Sequence, residues 1–157
     1  MVVAAIARRF DNNSDNSLGW LIQAGYGSSM YGVPADLDLT RFIGLDLNQI
    51  CLGPFDLGFH FYKGASSGTI SVEGSWSLTD ADGNTIDESE GPVGMPPGNR
   101  SRGGWRLREL LADTVQSGEV DPPRSFSLTF ASGRRLTIFD DSDQYESFSI
   151  QPGNIVV

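Results

Sequence analysis

Histidine and cysteine occur once each in the 157-residue chain, as His60 and Cys51, so a Cys–His nucleophilic pair would need both. Such a pair works when the imidazole takes the thiol proton and a third group orients the ring. Both residues fall in runs that read as strands, and a cysteine flanked by Ile50 and Leu52 is expected to be a small core hydrophobe. One Cys and one His fall short of the four ligands of a zinc site, and no metal or cofactor is expected. Acid–base chemistry without histidine would fall to paired carboxylates. Glu73 lies mid-strand, and Glu146 shares the parity of Phe148 and Ile150. That parity turns Glu146 inward, where a carboxylate needs an arginine or backbone N–H groups. A catalytic carboxylate pair would have to converge within about 10 Å in a cleft. The candidate ligand-binding residues are therefore His60, Glu73 and Glu146, and no residue is assigned a catalytic role.

Asp80-Ala-Asp-Gly-Asn opens like a calcium loop, but that loop carries Gly at its sixth place and Glu at its twelfth. Here Gly83 is fourth and Gly91 is twelfth, so Asp-Gly between Leu78 and Ile86 reads as a hairpin turn. No glycine-rich phosphate loop joins a strand to a helix. The aromatics Phe59, Phe61, Trp76, Phe126 and Phe130 fall on core faces, not on a stacking platform for single strands.

The elements that must position these residues are mostly strands. In Thr69–Thr79, Ile70, Val72, Gly74, Trp76 and Leu78 alternate with polar residues, the pattern of a strand with one face on a core. Leu45–Leu52 alternates imperfectly, which implies a bulge or short turn. Leu57–Tyr62, Ser125–Phe130, Arg135–Phe139, Tyr145–Ile150 and Ile155–Val157 read as further strands, joined by turns at Gly53-Pro54, Ala131–Arg134 and Gln151–Asn154. Asp140–Asp143 reads as a solvated acidic turn, and Gly91–Gly104 as an irregular Pro/Gly-rich loop. One helix is expected at residues 105–116, where Leu107, Leu110, Leu111 and Val115 form a stripe at i, i+3, i+4 and i+8. The expected fold class is α+β: a mainly antiparallel, twisted sheet, partly open and barrel-like, with that helix packed on it.

A chain of 17.0 kDa suits one domain with its own core. Residues 1–29 read as a loosely ordered N-terminal extension, an arm packed on the domain being the other reading, and 30–157 as a single α+β domain. No membrane-spanning run or signal-peptide pattern is present, and one cysteine gives no internal disulfide, so the cytoplasm is the expected compartment. The net charge of −9 disfavours nucleic acid and anionic membranes. Ten of the eleven basic residues are arginines, and those at 100, 102, 106, 108, 124, 134 and 135 cluster late in the chain, where pairing with nearby Asp and Glu is expected.

Met30-Tyr-Gly-Val-Pro-Ala-Asp-Leu-Asp-Leu, Leu47-Asn-Gln-Ile-Cys-Leu-Gly, Phe59-His-Phe, Ile70-Ser-Val-Glu-Gly and Tyr145-Glu-Ser-Phe together resemble a bacterial family of uncharacterised domains of unknown function, over about residues 30–157. The resemblance implies no activity and no site residues. Acidity and thin catalytic machinery lead to the expectation of a non-enzymatic interaction protein with a basic protein partner. Its sharpest form is an immunity-like role against a basic bacterial toxin. The alternative is a small-molecule or carbohydrate-type binding domain, its pocket between sheet and helix and lined by His60, Glu73 or Glu146.

Overall fold

The computed structural model describes residues 32–89, 103–141 and 145–157. The expected extension 1–29, Arg100, Arg102 and most of the Pro/Gly-rich loop lie outside the described residues. Among the described residues the strands are, in order, β1 (Asp46–Leu52), β2 (Leu57–Lys63), β3 (Ser66–Val72), β4 (Trp76–Thr79), β5 (Thr85–Glu88), β6 (Val115–Asp121), β7 (Ser125–Phe130), β8 (Arg135–Phe139), β9 (Phe148–Gln151) and β10 (Ile155–Val156). They form two five-stranded antiparallel sheets, β1-β2-β3-β9-β10 and β5-β4-β8-β7-β6.

The inner faces are set by alternation. Phe59, Phe61, Ile70, Val72, Phe148 and Ile150 of the first sheet face Trp76, Leu78, Phe126, Leu128, Phe130, Leu136 and Ile138 of the second across one shared core. Two aromatic contacts tie the layers together. Phe61 stacks on Phe130 at 6.5 Å between ring centres, and Phe148 meets Phe126 edge-on at 4.8 Å. Phe42, on a 3-10 turn at Thr40–Phe42, makes a third ring contact, edge-on to Phe61 at 5.2 Å.

The sheets are joined at two corners. The long alternating run expected as one strand is broken into two that lie in different sheets: β3 ends at Val72, the chain bends through Glu73–Ser75, and β4 follows in the other sheet. Its apolar positions Ile70, Val72, Trp76 and Leu78 stay buried through the bend. At the second corner, the start of β1 pairs with the approach to β6. Leu47 N donates to Asp113 O at 3.0 Å, and Ala112 N donates to Leu47 O at 2.7 Å. In place of the expected single, partly open, barrel-like sheet, the strands form two sheets packed as a sandwich and joined at these corners.

The expected helix at 105–116 is not there. Only a four-residue 3-10 turn, Leu107–Leu110, forms, after which Leu111 is extended and Ala112 takes a left-handed φ of 65°. Leu107 and Leu110 are buried, as a spacing of three allows, but Leu111 is 44% exposed and Val115 already belongs to β6. The stripe mixed one turn of helix with the first inward residue of a strand. What decides the outcome is the backbone of residues 112–115, which bonds to Leu47 of β1, to Gly44 and Leu45 just before it and to Ala131, so that those groups are unavailable to a helix. Asp87 fixes the front of the turn, accepting from Gly104 N at 3.1 Å and Arg106 N at 2.7 Å.

The hairpins follow the sequence closely. Asp80 Oδ1 accepts from the amides of Asp82 at 3.0 Å and Asn84 at 2.9 Å, closing the β4–β5 turn with its own side chain. The β7–β8 turn closes through Phe130 N to Arg134 O at 2.9 Å.

Candidate functional site

Two of the three expected site residues, Glu73 and Glu146, lie near each other along the backbone at the β3–β4 bend. Ser147 O accepts from Glu73 N at 2.9 Å and Gly74 N at 2.8 Å, which sets residue 146 beside residue 73. Leu57 pairs with Val72, so Asp56 stands across from Glu73 just beyond the ladder. From the second sheet, Phe139 N donates to Ser75 O at 2.9 Å and brings in Asp140 and Asp141. Ser147 Oγ donates to Asp140 Oδ1 at 2.6 Å, and Ser75 Oγ donates to Asp141. Backbone pairing therefore brings five acidic residues to one corner, the Asp56 carboxyl lying back against Gly53 of its own turn, with Tyr145 (71% exposed) and Phe55 (59% exposed) as chain neighbours of Glu146 and Asp56.

Glu146 is not turned inward. The strand begins only at Phe148, so the parity that relates Glu146 to Phe148 and Ile150 does not apply, and Glu146 is exposed while Ser147 is buried. Glu73 is likewise exposed. The acidic turn expected at Asp140–Asp143 lies partly outside the described residues, which end at Asp141 and resume at Tyr145; Asp140 itself is half-buried. Among the described residues, no three His, Cys, Asp or Glu are placed to hold a metal ion. The corner presents spread negative charge, which suits spread positive charge better than a point cation.

His60 belongs elsewhere. It lies half-buried on the outer face of the first sheet, where Gln49 and Thr69 are its ladder partners. Cys51 is beside it, with Sγ 3.6 Å from His60 Nε2, and is exposed. The core cysteine expected from Ile50-Cys-Leu52 is therefore corrected. The cause is a bulge between Leu47 and Gln49: one extra residue, Asn48, shifts the alternation, so Ile50 turns in and Cys51 turns out. Asn48 Oδ1 takes the Tyr62 amide at 2.9 Å and so anchors the bulge. The proposed pocket between sheet and helix has no helix for a wall, and its residues stand at separate places: Glu73 and Glu146 at the corner, His60 on the outer face.

Four of the clustered arginines, Arg106, Arg124, Arg134 and Arg135, pair with carboxylates. Glu109 bridges Arg106 and Arg134, each at 2.8 Å, and those guanidinium groups, Arg106 first, hold its carboxyl below the usual range. Arg135 reaches Glu119 at 2.6 Å across β7, and Arg124 reaches Asp121 at 2.8 Å. Among the described residues, no helix is long and apolar enough to cross a membrane.

No family model, curated protein or solved structure matches the chain, so the resemblance of residues 30–157 to a bacterial family rests on its motifs alone.

Proposed function

We propose that the chain is a non-enzymatic, cytoplasmic interaction protein that receives a basic protein partner, in the manner of an immunity protein against a basic toxin. The observation that supports this reading is that the backbone gathers Asp56, Glu73, Asp140, Asp141 and Glu146 at one corner, where their chain neighbours Tyr145 and Phe55 are exposed. Aromatic residues rimmed by like charges form the kind of surface on which a partner's arginines and lysines find both stacking and ion pairing. Two arginines of the second sheet, Arg134 and Arg135, are paired with carboxylates of their own, Glu109 and Glu119.

The test is a titration of isotope-labelled protein with an arginine-rich peptide, followed by amide chemical shifts at several salt concentrations. Shifts confined to residues 55–56, 73–75, 139–141 and 145–147, weakening with salt, are expected. Glu73→Gln with Glu146→Gln should weaken binding about fivefold, at roughly 0.5 kcal/mol per exposed charge. Asp36→Asn with Asp82→Asn makes the same charge change at exposed sites outside the corner, and should matter less than about twofold. Equal weakening by both pairs means that net charge alone is responsible, and the reading fails.

A further inference from the structure

The outer face of the first sheet carries a second constellation, independent of the acidic corner. Gln49 Nε2 donates toward Cys51 Sγ at 3.2 Å, Cys51 Sγ lies 3.6 Å from His60 Nε2, and Thr69 Oγ1 lies 3.3 Å from His60 Nδ1. These are neighbouring positions on three adjacent strands, β1, β2 and β3. Cys51 pairs across the ladder with Gly58, which has no side chain. A Cβ on Gly58 would stand 3.3 Å from both Cys51 Cβ and His60 Nε2, so the bare glycine makes the room in which the ring leans toward the sulfur. Thr69 can accept the proton of Nδ1, which leaves Nε2 as the basic nitrogen facing the thiol. The Gln49 amide is placed to bond charge that develops on sulfur.

We propose that Cys51, with His60 as its general base and Thr69 and Gln49 as positioning residues, is a site of thiol–disulfide exchange with small-molecule disulfides. The Cys51 sulfur attacks one sulfur of the disulfide while its proton passes to His60 Nε2. A new S–S bond forms to Cys51, the old one breaks, and the departing thiolate leaves with the electron pair and collects the proton from His60. The protein thiol is oxidised to a mixed disulfide and half of the reagent is reduced to thiol, so no further oxidant is needed. The product carries its new group on the open face of a sheet, in line with Tyr62, which is 54% exposed.

Reaction of the folded full chain with 4,4′-dithiodipyridine, a neutral disulfide, tests this directly, because the chain has one cysteine and releases one coloured thiopyridone. The folded protein should react faster than the same protein unfolded in urea. His60→Gln should slow the folded rate about tenfold or more, the low end of what a positioned base contributes. Gly58→Ala, which crowds the ring without touching its chemistry, and Thr69→Val, which removes the ring's orienting oxygen, should each slow it less. All of these act on the folded rate and leave the urea rate unchanged, a split that unfolding of a variant cannot mimic. A folded rate no greater than the unfolded rate, or a His60→Gln rate within twofold of wild type, overturns the proposal.

Discussion

Gly68→Ala tests how the layers are packed. Gly68 lies in β3 opposite Phe61, and the Phe42 ring closes over it. A Cβ at this position would stand 2.6 Å from Phe42 Cε1 and 3.1 Å from Cδ1. Carbon atoms rest at roughly 3.5–4.0 Å, so one side must give way. The ring has little freedom to do so. Phe42 is fully buried and edge-on to Phe61 at 5.2 Å, and Phe61 in turn stacks on Phe130 of the facing sheet. Overpacking of this kind costs about 1–3 kcal/mol. Replacing a strand glycine returns roughly 0.5–1 kcal/mol of backbone entropy. A net loss of about 1–2 kcal/mol is expected, read as a lower urea midpoint at unchanged slope. The decisive measurement is the double-mutant cycle with Phe42→Leu, which removes the ring atoms that the new methyl would meet. In that background Gly68→Ala should be neutral or slightly stabilising, a coupling of about 1–2 kcal/mol. Equal cost in both backgrounds, or no cost in the wild type, refutes the packing argument.

Two further outcomes follow from the polar contacts. Asp87→Ala strips the acceptor from the amides of Gly104 and Arg106 and should lower stability by about 1–2 kcal/mol, with faster hydrogen exchange at those two amides, whereas Asp87→Asn should lose less; a wild-type midpoint in Asp87→Ala removes the clamp from the account. The carboxyls of Asp46, Asp80 and Glu109 are held below their usual range, by the Thr114 hydroxyl, by the N–H groups of Asn84 and by the Arg106 guanidinium respectively. In acid the unfolded chain then binds more protons than the folded one, so stability is complete above the ordinary carboxylate range of about 4 and falls as pH drops through the lower folded values. Urea midpoints measured from about pH 2 to 6 should show that slope, and Asp80→Ala should flatten it; an unchanged slope in the variant would count against the assignment.

Alternation made much of the fold legible. It located the strands around Phe59, Ile70, Leu78, Leu128 and Ile138 and the hairpins at Asp80 and Gly133, because those signals are local. It failed where hydrogen bonds to a distant strand overrode local pattern. The Leu107–Val115 stripe satisfies helical spacing, but residues 44–47 and Ala131 take backbone groups of residues 112–115, and the stripe is split between a short turn and β6. Glu146 shows the limit of parity, which holds only while a residue remains inside its ladder. Cys51 shows the effect of one inserted residue: the polar Gln49 at an inward parity was the visible trace of the bulge, and reading it as such turns the cysteine outward. Asp140, Asp141 and Tyr145 carried no signal of convergence with Glu73, since that meeting is made by the strand exchange between sheets.

That exchange also governs how the chain could be divided. Residues 32–89 supply β1, β2 and β3 to one sheet and β4 and β5 to the other; residues 103–157 complete both, with β9 and β10 on one side and β8, β7 and β6 on the other. Each portion holds only part of each layer and has no partner for its half of the core. The strand ladders that join the two portions are β3 to β9 and β4 to β8, both made by the single run from Ser66 to Thr79, helped by the pairing of β1 with residues 112–115. The run is the spine of an interlocking assembly, in which two incomplete pieces of one polypeptide close on each other like the fingers of clasped hands.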